Sequence, residues 1–292
     1  MKPAPFGYLK PASIDEALEM LQEHGDDAKI IAGGQSLMPL LNMRLARPGV
    51  LIDINGLSDL TDISEQDSRL HIGAICRQRR MDDHALISTR LPILTAAARL
   101  ISHPQIRSRG TIVGSVVHGD PSAELPAIAL ALDAELSIKS TKGERALPVR
   151  ELYQGYYMTA VAAEELVTEI RLPIPTAGTG WSIQEISRRH GDFALAGVVA
   201  FVTLQGADIG DCTLVFYGLG ESALRLESAE QLLRGQRPGK DSFRAVAQEV
   251  SSQLTPDDDV HASAQYRCAL AHELTIRALE EAVDRATAGG EL

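Results

Sequence analysis

Apolar residues fall at helical spacing in some stretches of this chain and in short near-continuous runs in others, and the two patterns alternate. Ile14, Ala17, Leu18 and Leu21 recur at the helical period behind Ser13-Ile14-Asp15-Glu16, an S-x-x-E capping box, with Gly25 where a terminating glycine belongs. Residues 29–32 and 50–54 read as strands on either side of a helix over 37–45, in which Pro39 sits within the first turn. Strands near 60–64 and 69–74 flank the polar turn Glu65-Gln66-Asp67-Ser68. Helices are expected over 81–88 and 92–102, the second stopped at His103-Pro104. Ser122 is placed to cap a helix over 123–132. A hairpin over 134–149 turning at Lys142-Gly143 follows, then a strand over 165–172 halted by Pro173 and Pro175.

Thr176-Ala177-Gly178-Thr179-Gly180 reads as a linker. Beyond it come three strand-like runs (181–188, 194–204, 212–219) and then helices over 228–234, 241–254 and 266–288. Strands followed by helices predict an α+β domain with its helices on one face of a three-stranded sheet. The expected division is residues 1–57, 58–176 and 177–292.

A length of 292 residues suits two or three cores rather than one. The net charge of −11, with no basic stripe to offset it, argues against a nucleic-acid partner. Cys76, Cys212 and Cys268 are too far apart for a C-x-x-C pair, so no metal or iron–sulfur site is expected from this chain alone. They also form no disulfide framework. With no apolar leader at Met1-Lys2-Pro3-Ala4-Pro5 and no run of membrane-span length, the expected location is the cytoplasm.

Two loops carry the candidate chemistry: Ile31-Ala32-Gly33-Gly34-Gln35-Ser36-Leu37, and Arg109-Gly110-Thr111-Ile112-Val113-Gly114-Ser115 running on through His118-Gly119-Asp120-Pro121 to Glu124. Each follows an apolar segment and precedes a helix-like run. Glycines let backbone approach an anion, bare amides donate, and Ser or Thr adds a hydroxyl. Alone, either could be a tight turn; together they suit a ligand with two phosphates. Gly218-Leu219-Gly220-Glu221-Ser222-Ala223 matches G-x-G-x-x-A, but no second parallel strand follows it, so it reads as a turn. His103, His118 and His190 lack partners at ligand spacing. Ser36 and Ser115 lie in no nucleophile elbow. The cluster Arg77-Gln78-Arg79-Arg80 reads as a solvated face, with docking of an acidic partner as its alternative. No catalytic side chain is expected.

A series of short blocks in order resembles the FAD-binding medium subunits of molybdenum hydroxylases, the family that includes aerobic carbon monoxide dehydrogenase and the flavoprotein domain of xanthine dehydrogenase. The blocks are Pro5-Phe6-Gly7-Tyr8, residues 32–39, Gln105-Ile106-Arg107, Arg109-Gly110-Thr111-Ile112, Gly119-Asp120-Pro121, Glu124-Leu125-Pro126-Ala127 and residues 188–194, and they span essentially the whole chain. The resemblance implies two FAD-binding subdomains of the vanillyl-alcohol-oxidase (PCMH) type, followed by the C-terminal α+β domain. It implies that Ala32, Gly33, Gly34, Gln35, Ser36 and Leu37, with Thr111, Ile112, Val113, Gly114 and Ser115, embrace the pyrophosphate and ribityl region. Asp120 joins the cofactor site, Glu124 accepts hydrogen bonds from cofactor hydroxyls, Ile101 lies close to the flavin, and Leu166, Asp192 and Phe193 lie near the isoalloxazine.

Two positions depart from the family pattern. Val113 stands where glycine is usual, and Gln184-Glu185 stands where many relatives carry a lysine near the flavin pyrimidine. The partners implied are a large molybdopterin-binding subunit and a small subunit with two [2Fe–2S] clusters, assembled as a dimer of heterotrimers. A self-sufficient flavoprotein oxidase and a non-catalytic dinucleotide scaffold are the competing classes.

Overall fold

The computed structural model describes residues 1–289. It begins with β1 (Gly7–Leu9), α1 (Ile14–His24), β2 (Ala28–Ile31), α2 (Leu37–Asn42) and β3 (Val50–Asp53), and its three strands form a parallel sheet in the order β1-β3-β2. The capping box forms: Ser13 Oγ accepts from the Glu16 amide at 3.1 Å, and Glu16 reaches back to the Ala12 amide at 2.6 Å. Helix α1 buries Ala17, Leu18 and Leu21. The strand β1 was not foreseen, because three largely exposed residues carry no alternation; the edge of β3 makes it a strand.

Next come β4 (Ile63–Gln66), β5 (Arg69–Gly73), α3 (Arg80–Asp83), α4 (Ala85–Arg90), α5 (Pro92–Leu100), α6 (Pro104–Arg107), α7 (Ile112–His118) and α8 (Glu124–Ala131). They are followed by β6 (Glu135–Ser140), β7 (Gly143–Pro148), β8 (Tyr153–Gly155), β9 (Met158–Thr159) and β10 (Leu166–Pro173). A five-stranded sheet runs β4-β5-β10-β6-β7, with β8 and β9 as a separate small pair. The expected helix over 81–88 is two short helices broken at His84, whose ψ of 123° is extended. Ser122 does not cap α8. Its amide donates to Asp120 Oδ1 at 2.9 Å, and Ala123 takes the N-cap position.

The last part is β11 (Gly180–Ser187), β12 (Ala194–Gln205), β13 (Asp208–Tyr217), β14 (Leu224–Arg225), α9 (Glu227–Leu233), α10 (Lys240–Gln253) and α11 (Ala264–Gly289). Four strands, not three, form the antiparallel sheet β11-β12-β13-β14. The extra strand is two residues long and follows the G-x-G-x-x-A stretch directly. Its antiparallel pairing with β13 is the opposite of what a dinucleotide-binding βαβ unit requires.

This sheet is a wall between two cores. Along β12, Ala196, Val198, Ala200 and Val202 join the core beneath the three C-terminal helices, while Val199 and Phe201 join the large core of the first two sheets. The period-two alternation of a strand lets one segment serve both. Among the described residues no helix is long and apolar enough to cross a membrane.

Candidate functional site

The first loop leaves β2 and enters α2. Ala32 O accepts from Asn55 Nδ2 at 2.7 Å, and Gly33 O accepts from Gln35 Nε2 at 3.0 Å. The amides of Gly33, Gly34, Gln35 and Ser36 donate to nothing among the described residues, and the Ser36 side chain makes no capping bond to α2. Leu37 is the first residue of α2.

The second stretch is built differently. Thr111 is the N-cap of α7, and its Oγ1 accepts from the Gly114 amide at 3.1 Å. Ser115 donates its amide to Thr111 O, and Ile112 donates to Cys76 O. Residues 112–115 are therefore the first turn of a helix rather than a loop. Ile112 and Val113 are buried in it. Val113 is helical, so the glycine-to-valine departure asks for no left-handed backbone.

The two stretches touch. A Cβ on Gly33 would fall 2.6 Å from Arg109 O and 2.7 Å from Gly110 Cα, so only glycine fits between them. Arg77 and Asn55 bracket the contact. The Arg77 guanidinium donates to Arg109 O and to Asn55 Oδ1, both at 2.5 Å, and Asn55 in turn holds Ala32 O. The solvated-face reading of residues 77–80 is thereby corrected for its first two members. Arg77 is half-buried and engaged, and Gln78 is buried. Sequence reading missed both Asn55 and Arg77, since nothing local marks a pair 22 residues apart that meets only through two other segments.

Asp120 is buried and already committed, accepting from the Ser122 amide through Oδ1 and from Tyr157 Oη at 3.3 Å through Oδ2. Burial and Asp120 together push Tyr157 up to about 12, and burial holds the His118 imidazole below its ordinary value. Glu124, the first residue of α8, is buried; burial, then the charges of Glu185 and Asp120, push its carboxyl up to about 8.

Further along, Ile101 is buried at the end of α5 and its carbonyl accepts from Arg107 Nη1 at 2.9 Å. Gly191 closes on Ser102, since a Cβ there would lie 3.1 Å from the Ser102 backbone. This brings the corner carrying Asp192 and Phe193 beside residues 101–103. Phe193 is 67% exposed, and a cavity of about 330 Å³ there is lined by Ser102, His103, Arg188, Asp192, Phe193 and Arg267. Leu166 is buried at the start of β10, which packs on α7. A larger cavity, about 460 Å³, lies at the far end of α8 around Leu130, Asp133 and Arg225 and contains none of the sequence-predicted residues.

The groups left over fit FAD. Four bare amides and the Ser36 hydroxyl of the first loop are unspent donors, the kind of group a diphosphate needs. Gln78 Oε1, buried without a partner beside Gly110, is an acceptor awaiting a donor.

Residues 4–175 match the family model described as the FAD binding domain in molybdopterin dehydrogenase, and residues 181–282 match the CO dehydrogenase flavoprotein C-terminal domain. The chain is 42% identical over 289 residues to the 6-hydroxypseudooxynicotine dehydrogenase complex subunit alpha of Paenarthrobacter nicotinovorans, covering 98% of this chain and 97% of that one. It is 37% identical to caffeine dehydrogenase subunit beta of Pseudomonas sp. strain CBB1, covering 98% and 97%. Among solved structures, a chain of the carbon monoxide dehydrogenase from Hydrogenophaga pseudoflava superposes with a TM-score of 0.95 at 36% identity, covering 98% of this chain and 99% of that one.

Proposed function

This chain belongs to the family of FAD-binding medium subunits of molybdenum hydroxylases, and from that premise we propose that residues 32–37 and the 111–115 turn hold the FAD diphosphate between them. The chain is an oxidoreductase subunit of a multi-subunit complex with large and small partners. FAD bound here supplies a redox centre that takes electrons from the partner's [2Fe–2S] clusters and passes them to an external acceptor. The protein's part is to bind, orient and tune.

Contact between the two glycine stretches, with the first loop's amides left bare, carries this reading. The amides of Gly33 to Ser36 donate to phosphate oxygens, and Ser36 adds its hydroxyl. Thr111 and Gly114 spend their bond on each other, so this turn offers position and close backbone approach rather than a row of donors. Ile101 and Leu166 bound the site with apolar surface. Asp192 and Phe193 form its exposed rim, where Phe193 covers a flavin face. Asp120 holds the turn into α8 and contributes through that geometry.

We divide the chain at 1–57, 58–176 and 177–292, a reading supported by the separate three-, five- and four-stranded sheets. Assembly as a dimer of heterotrimers completes the proposal, as does a cytoplasmic setting, supported by three free thiols. Chains this alike serve complexes named for different substrates, so the choice of substrate belongs to another subunit.

The test is the absorption spectrum of the purified complex and of this chain with added FAD. One flavin per chain is expected. No flavin bands after FAD addition would leave the non-catalytic scaffold, and steady turnover of an organic substrate by this chain alone would leave the self-sufficient oxidase.

A further inference from the structure

The carbonyl and the amide of one trans peptide unit point in opposite directions, so whatever holds the oxygen also aims the N–H. The second stretch shows this directly. Arg77 holds Arg109 O, and the Gly110 N–H of the same unit points the other way, onto Ile106 O at 2.7 Å. In the first loop two consecutive units are held in this manner. Asn55 Nδ2 donates to Ala32 O at 2.7 Å, and Gln35 Nε2 donates to Gly33 O at 3.0 Å. The N–H groups on the far sides of those units, from Gly33 and Gly34, donate to nothing among the described residues.

Asn55 is itself held at both ends of its amide. It follows β3 in a short turn (Ile54–Gly56), where Asp53 Oδ1 accepts from its backbone N–H at 2.9 Å and from its Nδ2 at 2.5 Å. The Arg77 guanidinium donates to its Oδ1. The other oxygen of Asp53 accepts from the Tyr8 hydroxyl on the neighbouring strand β1. An ionised Asp53 offers acceptors only and Arg77 donors only, so the Asn55 amide has one orientation. Reversed, its oxygen would face both the Asp53 carboxylate and Ala32 O.

We propose that Asp53 is a positioning residue of the cofactor site: through the Asn55 amide it turns the Gly33 N–H toward the FAD diphosphate. This rests on the proposed FAD site. A carboxylate aimed at a diphosphate would repel it. Here both oxygens are spent on Tyr8 and Asn55, and what reaches the loop is an uncharged amide. The residue type at position 55 follows from the same chemistry. A carboxylate there could accept from Arg77 but would bring no donor to Ala32 O, whereas a primary amide does both.

The experiment uses the assembled complex with FAD removed and added back, comparing the unmodified protein, Asp53→Asn, Asn55→Leu and the double variant. Asp53→Asn keeps the size of the side chain but can present a donor, so the Asn55 amide loses its single orientation and the FAD Kd should rise roughly tenfold. Asn55→Leu strips Ala32 O of its donor, and the Kd should rise about 30-fold. In the Asn55→Leu background Asp53→Asn should cost nothing further, because the amide it acts through is gone. The phosphorus NMR resonances of bound FAD should move in Asp53→Asn, which a general loss of stability would not produce. In a crystal structure of the FAD-free Asn55→Leu complex, the peptide between Ala32 and Gly33 should have turned. Equal losses from Asp53→Asn in both backgrounds, unmoved phosphorus resonances, or an unturned peptide in Asn55→Leu overturn the proposal. An unmodified complex that takes up no FAD overturns the FAD-site reading instead, and the Asn55→Leu structure still decides whether the relay aims the Gly33 amide.

Discussion

Two stretches of similar composition meet across one glycine, yet they use their polar groups in opposite ways. Residues 32–37 leave four amides and a hydroxyl open, with the chain held by Asn55 at Ala32 and by an internal bond from Gln35. Residues 111–115 close on themselves, with Thr111 capping α7 and Ile112 and Val113 buried. One stretch supplies donors and the other supplies a wall for them to be held against. Small residues alone do not say which role a segment takes, because the deciding quantity is what the backbone amides already bond to.

The sharpest way to break this contrast is the same substitution at the paired glycines. Gly33→Ala drives a Cβ into the backbone of Arg109 and Gly110, which cannot yield without parting the stretches, so FAD affinity should fall by roughly 100-fold. Gly114→Ala meets the Thr111 hydroxyl, which can rotate away, so it should cost little more than one helix cap. Equilibrium FAD binding to both variants measures the difference, and equal losses would erase the distinction.

Arg77→Met cuts the bracket while leaving both stretches intact. Losing two charge-assisted hydrogen bonds should weaken FAD binding by about 10-fold or somewhat more, read by the flavin-to-protein absorbance ratio after dialysis. Thr111→Ala removes the cap and should lower stability by about 1 kcal/mol with a smaller effect on affinity, measured by denaturant unfolding of the FAD-free protein. The mildest is Ser36→Ala, which removes one donor from the open loop and leaves stability unchanged. A several-fold rise in FAD Kd is expected, on the order of 1 kcal/mol.

The capping box at Ser13, the hairpin turning at Lys142-Gly143 and the strand-like run that became β12 were legible because each is a local rule with a near neighbour. The β4–β5 turn was legible too, with Asp67 and Ser68 both at positive φ. What escaped was decided at a distance. His84 interrupts a helical run that reads as continuous, and β1 exists only against β3. Arg77 looks like surface charge until Asn55 and Arg109 O come within reach.

By itself, then, the sequence determined most of the longer helices and strands, the two glycine stretches and their family, since helix period, strand period and turn chemistry are written within a few residues. Only the tertiary structure decided that the stretches touch through Gly33, that Arg77 and Asn55 lock them, and that Glu124 starts α8 buried away from water. Those facts depend on free volume and on dielectric surroundings, and both arise only when distant segments exclude water from the same place.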